Sequence, residues 1–113
     1  MKVLVCGGRD FADYDLLKTV LSALHVTRGI SIVIHGGATG ADMLASRWAG
    51  THMIPGVVYP ADWKAHGKAA GPIRNQQMLD EAKPDMVVAF KGGRGTADMV
   101  RRAGKAGFDI LNV

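Results

Sequence analysis

The chain has 113 residues, 48% of them hydrophobic, and a formal net charge of +4, which is ordinary single-domain length with enough apolar side chains for one core over 1–113 without disulfide or metal staples. A lone cysteine, Cys6, excludes an intrachain disulfide, and no cysteine and histidine cluster has zinc spacing, so a reducing, cytoplasmic setting with no metal and no cofactor is expected. The apolar run at Met1–Cys6 is too short for a signal-peptide core and no later segment is long enough to span a bilayer; basic residues are scattered from Lys2 to Lys105 rather than gathered in a stripe, which favours small anions over nucleic acid or a membrane.

Five short runs, most of them β-branched and bounded by Gly or Pro, alternate with helical patterns. The first strand, Lys2–Cys6, ends on Gly7-Gly8-Arg9-Asp10, and Leu16, Leu17, Val20, Leu21 and Leu24 then repeat at helical spacing. A second strand, Ser31–His35, runs into Gly36-Gly37-Ala38-Thr39-Gly40, after which Ala41, Leu44, Ala45 and Trp48 mark a second helix. The third strand is Gly56–Tyr59. Pro60–Gly71 reads as an irregular connection longer than usual, the kind that serves as a lid or binding loop. Pro72 opens a third helix near its first turn, with Met78 and Leu79 as its apolar markers. Asp85–Phe90 is the fourth strand, a fourth helix runs from about Gly95 to Lys105 and stops before Gly107, and Phe108–Asn112 is the last strand. This alternation predicts an α/β fold, Rossmann-like and doubly wound, with a mainly parallel five-stranded sheet in the order 3-2-1-4-5 and helices on both faces. The winding reverses between strands one and four, whose carboxyl ends then flank the crevice where ligands of open α/β sheets bind.

Three glycine-rich turns fall on that edge. A helix start presents unpaired backbone N–H groups and a positive dipole end, and glycine lets an anion approach closely. The candidate ligand-binding residues are Gly7, Gly8 and Arg9 in the first turn, Gly36, Gly37, Thr39, Gly40 and Asp42 in the second, and Gly92, Gly93, Arg94, Gly95 and Thr96 in the last. Ala38 stands where a dinucleotide fingerprint has its second glycine, and no turn continues into Gly-Lys-Ser/Thr, so neither NAD binding nor ATP hydrolysis is inferred. Arg74, at an exposed helix start, is badly placed for the dipole unless an anion lies near, and is expected to be a phosphate clamp whose removal leaves the fold intact. Asn75 either cross-links the loop or contacts ligand. Asp42 either interacts with its own helix start or accepts a ribose hydroxyl. Asp62 and Trp63 either anchor the long loop or, for Trp63, offer a stacking face to a base. His25, His35, His52 and His66 have no metal-binding spacing, and Cys6, ending a central strand, is expected to be a buried inert thiol.

The segments HGGATGAD (His35–Asp42), ADW (Ala61–Trp63), AGPIRNQQM (Ala70–Met78) and GGRGTADM (Gly92–Met99) together resemble the YspA-like, cpYpsA-related branch of the SLOG superfamily, over almost the whole chain. That superfamily resembles a Rossmann fold in architecture and includes LOG phosphoribohydrolases, the DNA-processing protein DprA and sensor domains for nucleotide-derived signals. LOG enzymes carry a Pro-Gly-Gly-x-Gly-Thr-x-x-Glu motif; here Gly92, Gly93, Gly95 and Thr96 match it, Lys91 replaces the proline and Met99 stands where the catalytic glutamate belongs. Asp98, one residue earlier, is turned by about 100° on a helix. Arg74 aligns with an arginine of those enzymes and Asn75 replaces their lysine. The resemblance implies a module that binds a nucleotide or nucleotide-derived phosphate ligand, sensing or sequestering it, with catalytic residues unknown. The alternatives are a nucleotide N-glycosidic-bond hydrolase using Asp42, Asp62 or Asp98, and a DprA-like nucleic-acid-processing partner. A homodimer or higher homo-oligomer is also expected, through a third helix that packs Met78 and Leu79 against a symmetry mate.

Overall fold

Residues 1–113 are all described in the computed structural model. In chain order they form β1 (Lys2–Cys6), α1 (Tyr14–Arg28), β2 (Ile32–His35), α2 (Ala41–Thr51), β3 (Gly56–Val58), α3 (Trp63–His66), α4 (Ala70–Gln77), β4 (Met86–Ala89), α5 (Arg94–Lys105) and β5 (Ile110–Asn112). All neighbouring strands pair in parallel, in the order β3-β2-β1-β4-β5, as the alternating pattern requires.

The central strand explains the layering. Val3 and Val5 face one side and Leu4 and Cys6 the other, all buried, so both faces of β1 need a cover and its sequence is a continuous apolar run. On one face Val3, Val5 and Val33 pack with Leu17 and Leu21 of α1 and Ala45 and Trp48 of α2. On the other, Leu4, Ile34 and Val87 pack with Met99 and Ala103 of α5 and with Met78 and Leu79. Asp13 caps α1 by accepting the Leu16 N–H at 3.0 Å, and Gly29, at φ 73°, ends it, a conformation glycine adopts without a Cβ penalty. No helix is long and apolar enough to cross a membrane.

Three expectations are corrected. The stretch Pro60–Gly71 is not an irregular loop: Asp62 accepts the Ala65 N–H at 3.0 Å and starts α3, a 3-10 turn at Gly67–Ala69 links it to α4, and a wider π turn at Met78–Ala82 follows. Arg74 therefore lies in the last turn of α4, not at an exposed helix start. Met78 and Leu79 are each 2% exposed and belong to this chain's own core, so they offer nothing to a symmetry mate. The large apolar side chain that α4 leaves outside is Ile73, at 46%.

Candidate functional site

The carboxyl ends of β1, β2 and β4 open into a cleft of about 810 Å³, walled by the first and last glycine turns, by α4 and by Trp63, with Cys6 and Asp42 among its lining residues. The three turns, alike in sequence, behave differently. In the second, the N–H groups of Gly36 and Ala38 both donate to Asp42 Oδ2 at 3.1 Å, and Gly37 N–H donates to His35 Nδ1 at 3.0 Å. The carboxylate of Asp42 thus fills the nest that a phosphate would occupy. The start of α2 is partly closed, at its first N–H. Ala41 N–H donates to the Gly8 carbonyl at 3.2 Å, and Gly40, at φ 78°, lies so close to the first turn that a Cβ there would overlap the carbonyl oxygen of Gly8.

The last turn is different. Gly93 caps α5 with no side-chain hydrogen bond, and the first backbone bond of the helix is Ala97 N–H to the Gly93 carbonyl at 3.0 Å. The N–H groups of Arg94, Gly95 and Thr96 have no acceptor within the chain, as the start of a helix dictates, and all three residues line the cleft. Gly8 N–H donates to the Lys91 carbonyl at 2.9 Å and ties this turn to the first. Gly92 is needed for that approach, since a Cβ would stand 2.7 Å from Gly8 N.

The cleft brings together Gly7, Gly8 and Arg9 of the first turn, Gly36 and Asp42 of the second, Gly93 to Thr96 of the last, and Trp63, Arg74 and Asn75. Gly37, Thr39, Gly40, Asp62 and Gly92 lie outside its lining: the first three belong to the closed second turn, Asp62 caps α3 and Gly92 packs against the first turn. Lys68, Asp98 and Arg101 also line it and were not among the candidates for ligand binding. Lys68, Gly71, Pro72 and Asn75 are spaced i, i+3, i+4 and i+7, one helical face, which is the signal that would have found Lys68.

The side chains are tied together. Arg74 Nη1 donates to the Gly36 carbonyl at 2.8 Å and to the Tyr59 carbonyl at 3.3 Å, and its Nε to Asn75 Oδ1 at 3.2 Å. Its Nη2 makes no bond within the chain. Burial lowers the pKa of this guanidinium from its ordinary value, opposed by the charge of Asp42; it remains a cation. Asn75 makes the cross-link of its first reading, its Nδ2 donating to the Gly95 carbonyl at 3.2 Å and to Asp98 Oδ2 at 3.0 Å, and it also lines the cleft. Asp98 also accepts from Arg101 at 2.6 Å and Arg102 at 2.8 Å. Desolvation raises its pKa, but the hydrogen bonds from Arg102 and Asn75 and the charges of Arg102 and Arg101 outweigh it and hold the carboxyl below its usual value. Asp42 is shifted the opposite way: desolvation raises it, and the Ala38 and Gly36 N–H groups with His35 and Arg74 only partly offset this. His35 is lowered, first by burial. Burial and Asp42 push the Cys6 thiol up to about 12, so it is an unreactive protonated group at neutral pH.

Five cations, Arg9, Lys68, Arg74, Arg94 and Arg101, face three carboxylates, Asp10, Asp42 and Asp98. Arg9 lies over the Trp63 ring at 5.5 Å, a cation–π contact that bridges the first turn and α3. No group of three His, Cys, Asp or Glu side chains is placed to hold a metal ion.

Comparison with known proteins places these features. The family model for YAcAr, the YspA, cpYpsA-related SLOG family, matches residues 1–66. The Gene 61 protein of Mycobacterium phage D29 is 39% identical over 120 aligned positions, spanning 98% of this chain and 94% of the phage protein. The X-ray structure of TM1055, a Northeast Structural Genomics Consortium target, superposes with a TM-score of 0.72 at 21% identity, covering 96% of this chain and 71% of that one, a likeness of fold.

Proposed function

The chain belongs to the YspA, cpYpsA-related SLOG family, and on that premise we propose that its cleft binds a nucleotide or nucleotide-derived ligand through its phosphate, to sense or sequester it. The observation that carries this reading is the uncapped start of α5, where three residues with free N–H groups line the cleft. Oriented N–H groups and the positive dipole end make that point an anion site, and Arg94, Arg9 and the free Nη2 of Arg74 supply the charge around it.

Sequestering or sensing is favoured over N-glycosidic cleavage by the residue at the LOG glutamate position or by Asp98. Met99, at the position of the LOG glutamate, is 0% exposed in the core. Asp98 lines the cleft but is held by two arginines and Asn75, with its pKa depressed, which makes it a weak base and deprives it of a proton to donate. Isothermal calorimetry with AMP, a cyclic nucleotide and ADP-ribose, each against its dephosphorylated form, tests the reading. Binding that needs the phosphate and weakens with salt supports it; equal affinity for the nucleosides refutes it.

A further inference from the structure

Asp42 is 7% exposed, and its two oxygens have different surroundings. Oδ2 accepts both N–H bonds of the second turn. Oδ1 accepts none from the protein, yet no buried side-chain oxygen lacks a partner, so Oδ1 keeps some solvent exposure, in a residue that lines the cleft. A deeply set carboxylate with one oxygen anchored and the other open is an acceptor with a fixed direction. We propose that Asp42 Oδ1 is the cleft's receptor for a sugar hydroxyl, so that the ligand is a ribose-type sugar phosphate with its phosphate at the start of α5 and a hydroxyl turned toward the second glycine turn.

This rests on the phosphate reading above and adds a polarity to it. An anionic oxygen at that point repels a second phosphate, and the N–H groups beneath it are already bonded to Oδ2, so the second turn and the α5 start accept different chemistry. A neutral O–H donor fits, because an acceptor left unpaired beside a bound ligand is desolvated without compensation. Arg74, whose charge partly offsets the desolvation of Asp42, bonds the Gly36 carbonyl and so braces the turn that carries the anchor.

The test uses the full chain and base-free probes, measured by calorimetry: ribose 5-phosphate, ethyl phosphate and inorganic phosphate. Ribose 5-phosphate is expected to bind at least about tenfold more tightly than ethyl phosphate, the scale of a hydrogen bond to a charged group. In Asp42→Asn the amide oxygen must take the two turn N–H groups, leaving NH₂ toward the cleft; a neutral donor replaces the charged acceptor and the ratio is expected to fall at least about threefold. Equal affinity of ribose 5-phosphate and ethyl phosphate in the unaltered protein overturns the proposal while leaving the phosphate site standing. An undiminished ratio in a folded Asp42→Asn variant also overturns it. Failure of all three probes to bind overturns this proposal, and the phosphate reading is then decided separately by AMP against adenosine. If the variant does not fold, the ratio in the unaltered protein decides alone.

Discussion

Removing the Arg74 side chain is expected to weaken the fold as well as the site. Arg74→Ala deletes one short hydrogen bond to the Gly36 carbonyl at 2.8 Å and two longer ones, to Tyr59 and Asn75, and takes away the cation beside Asp42. A hydrogen bond from a charged donor contributes about 1.5–3 kcal/mol, and bonds sharing one guanidinium do not add. A loss of about 2–3 kcal/mol follows, read as a shift of the urea midpoint at unchanged m, or a fall in Tm of about 10 °C for a domain of this size. Arg74→Lys keeps the charge but lacks the planar fork and is expected to recover less than half of the loss. An Arg74→Ala variant within about 0.5 kcal/mol of the parent would refute the brace and return Arg74 to a purely ligand-facing role.

Gly40→Ala is expected to be among the most damaging single substitutions, about 3 kcal/mol or more, because φ 78° and ψ −129° suit glycine alone and the added Cβ overlaps the first turn; equilibrium denaturation checks it. Asp98→Asn is expected to lower stability near neutral pH by about 1–3 kcal/mol. Because the folded pKa of Asp98 lies below its ordinary value of 3.8, the stabilisation is present above that value and lost as pH falls through the folded one, so the parent and variant stability curves should converge in acid. Incubation with nucleoside monophosphates is expected to release no free base above background, read by chromatography, since Met99 is buried and Asp98 is held as an ion pair.

The strand order was legible because each strand is a short β-branched run and parallel connection leaves few topologies. The differences there are at the ends: Ser31, Tyr59, Asp85, Phe90, Phe108 and Asp109 lie outside the strands they were assigned to. The helical nature of Trp63–Ala69 was hidden because this amphipathic signal is too short to repeat and is interrupted by Gly67; the visible cue was Asp62, a capping residue in front of it. The glycine turns were correctly gathered on one edge, but their equivalence was not a property of the motif. Whether a turn N–H is free depends on side chains that fold back onto it, and only the fold shows that Asp42 returns to Gly36 and Ala38 while nothing returns to Gly95. Asn75 and Asp98, 23 residues apart, meet through helix packing, which local pattern does not encode.

The central claim is that phosphate is received by the N–H groups at the start of α5. A titration of the ¹⁵N-labelled chain with AMP, and separately with adenosine, followed by amide chemical shifts, tests it most directly. AMP should move the amides of Arg94, Gly95 and Thr96 most, in a salt-sensitive manner, with those of Gly36 and Ala38 held by Asp42 moving less, and adenosine should leave the α5 amides in place. Saturable AMP binding that leaves Gly95 and Thr96 unmoved, or identical shifts there with adenosine, would contradict the claim.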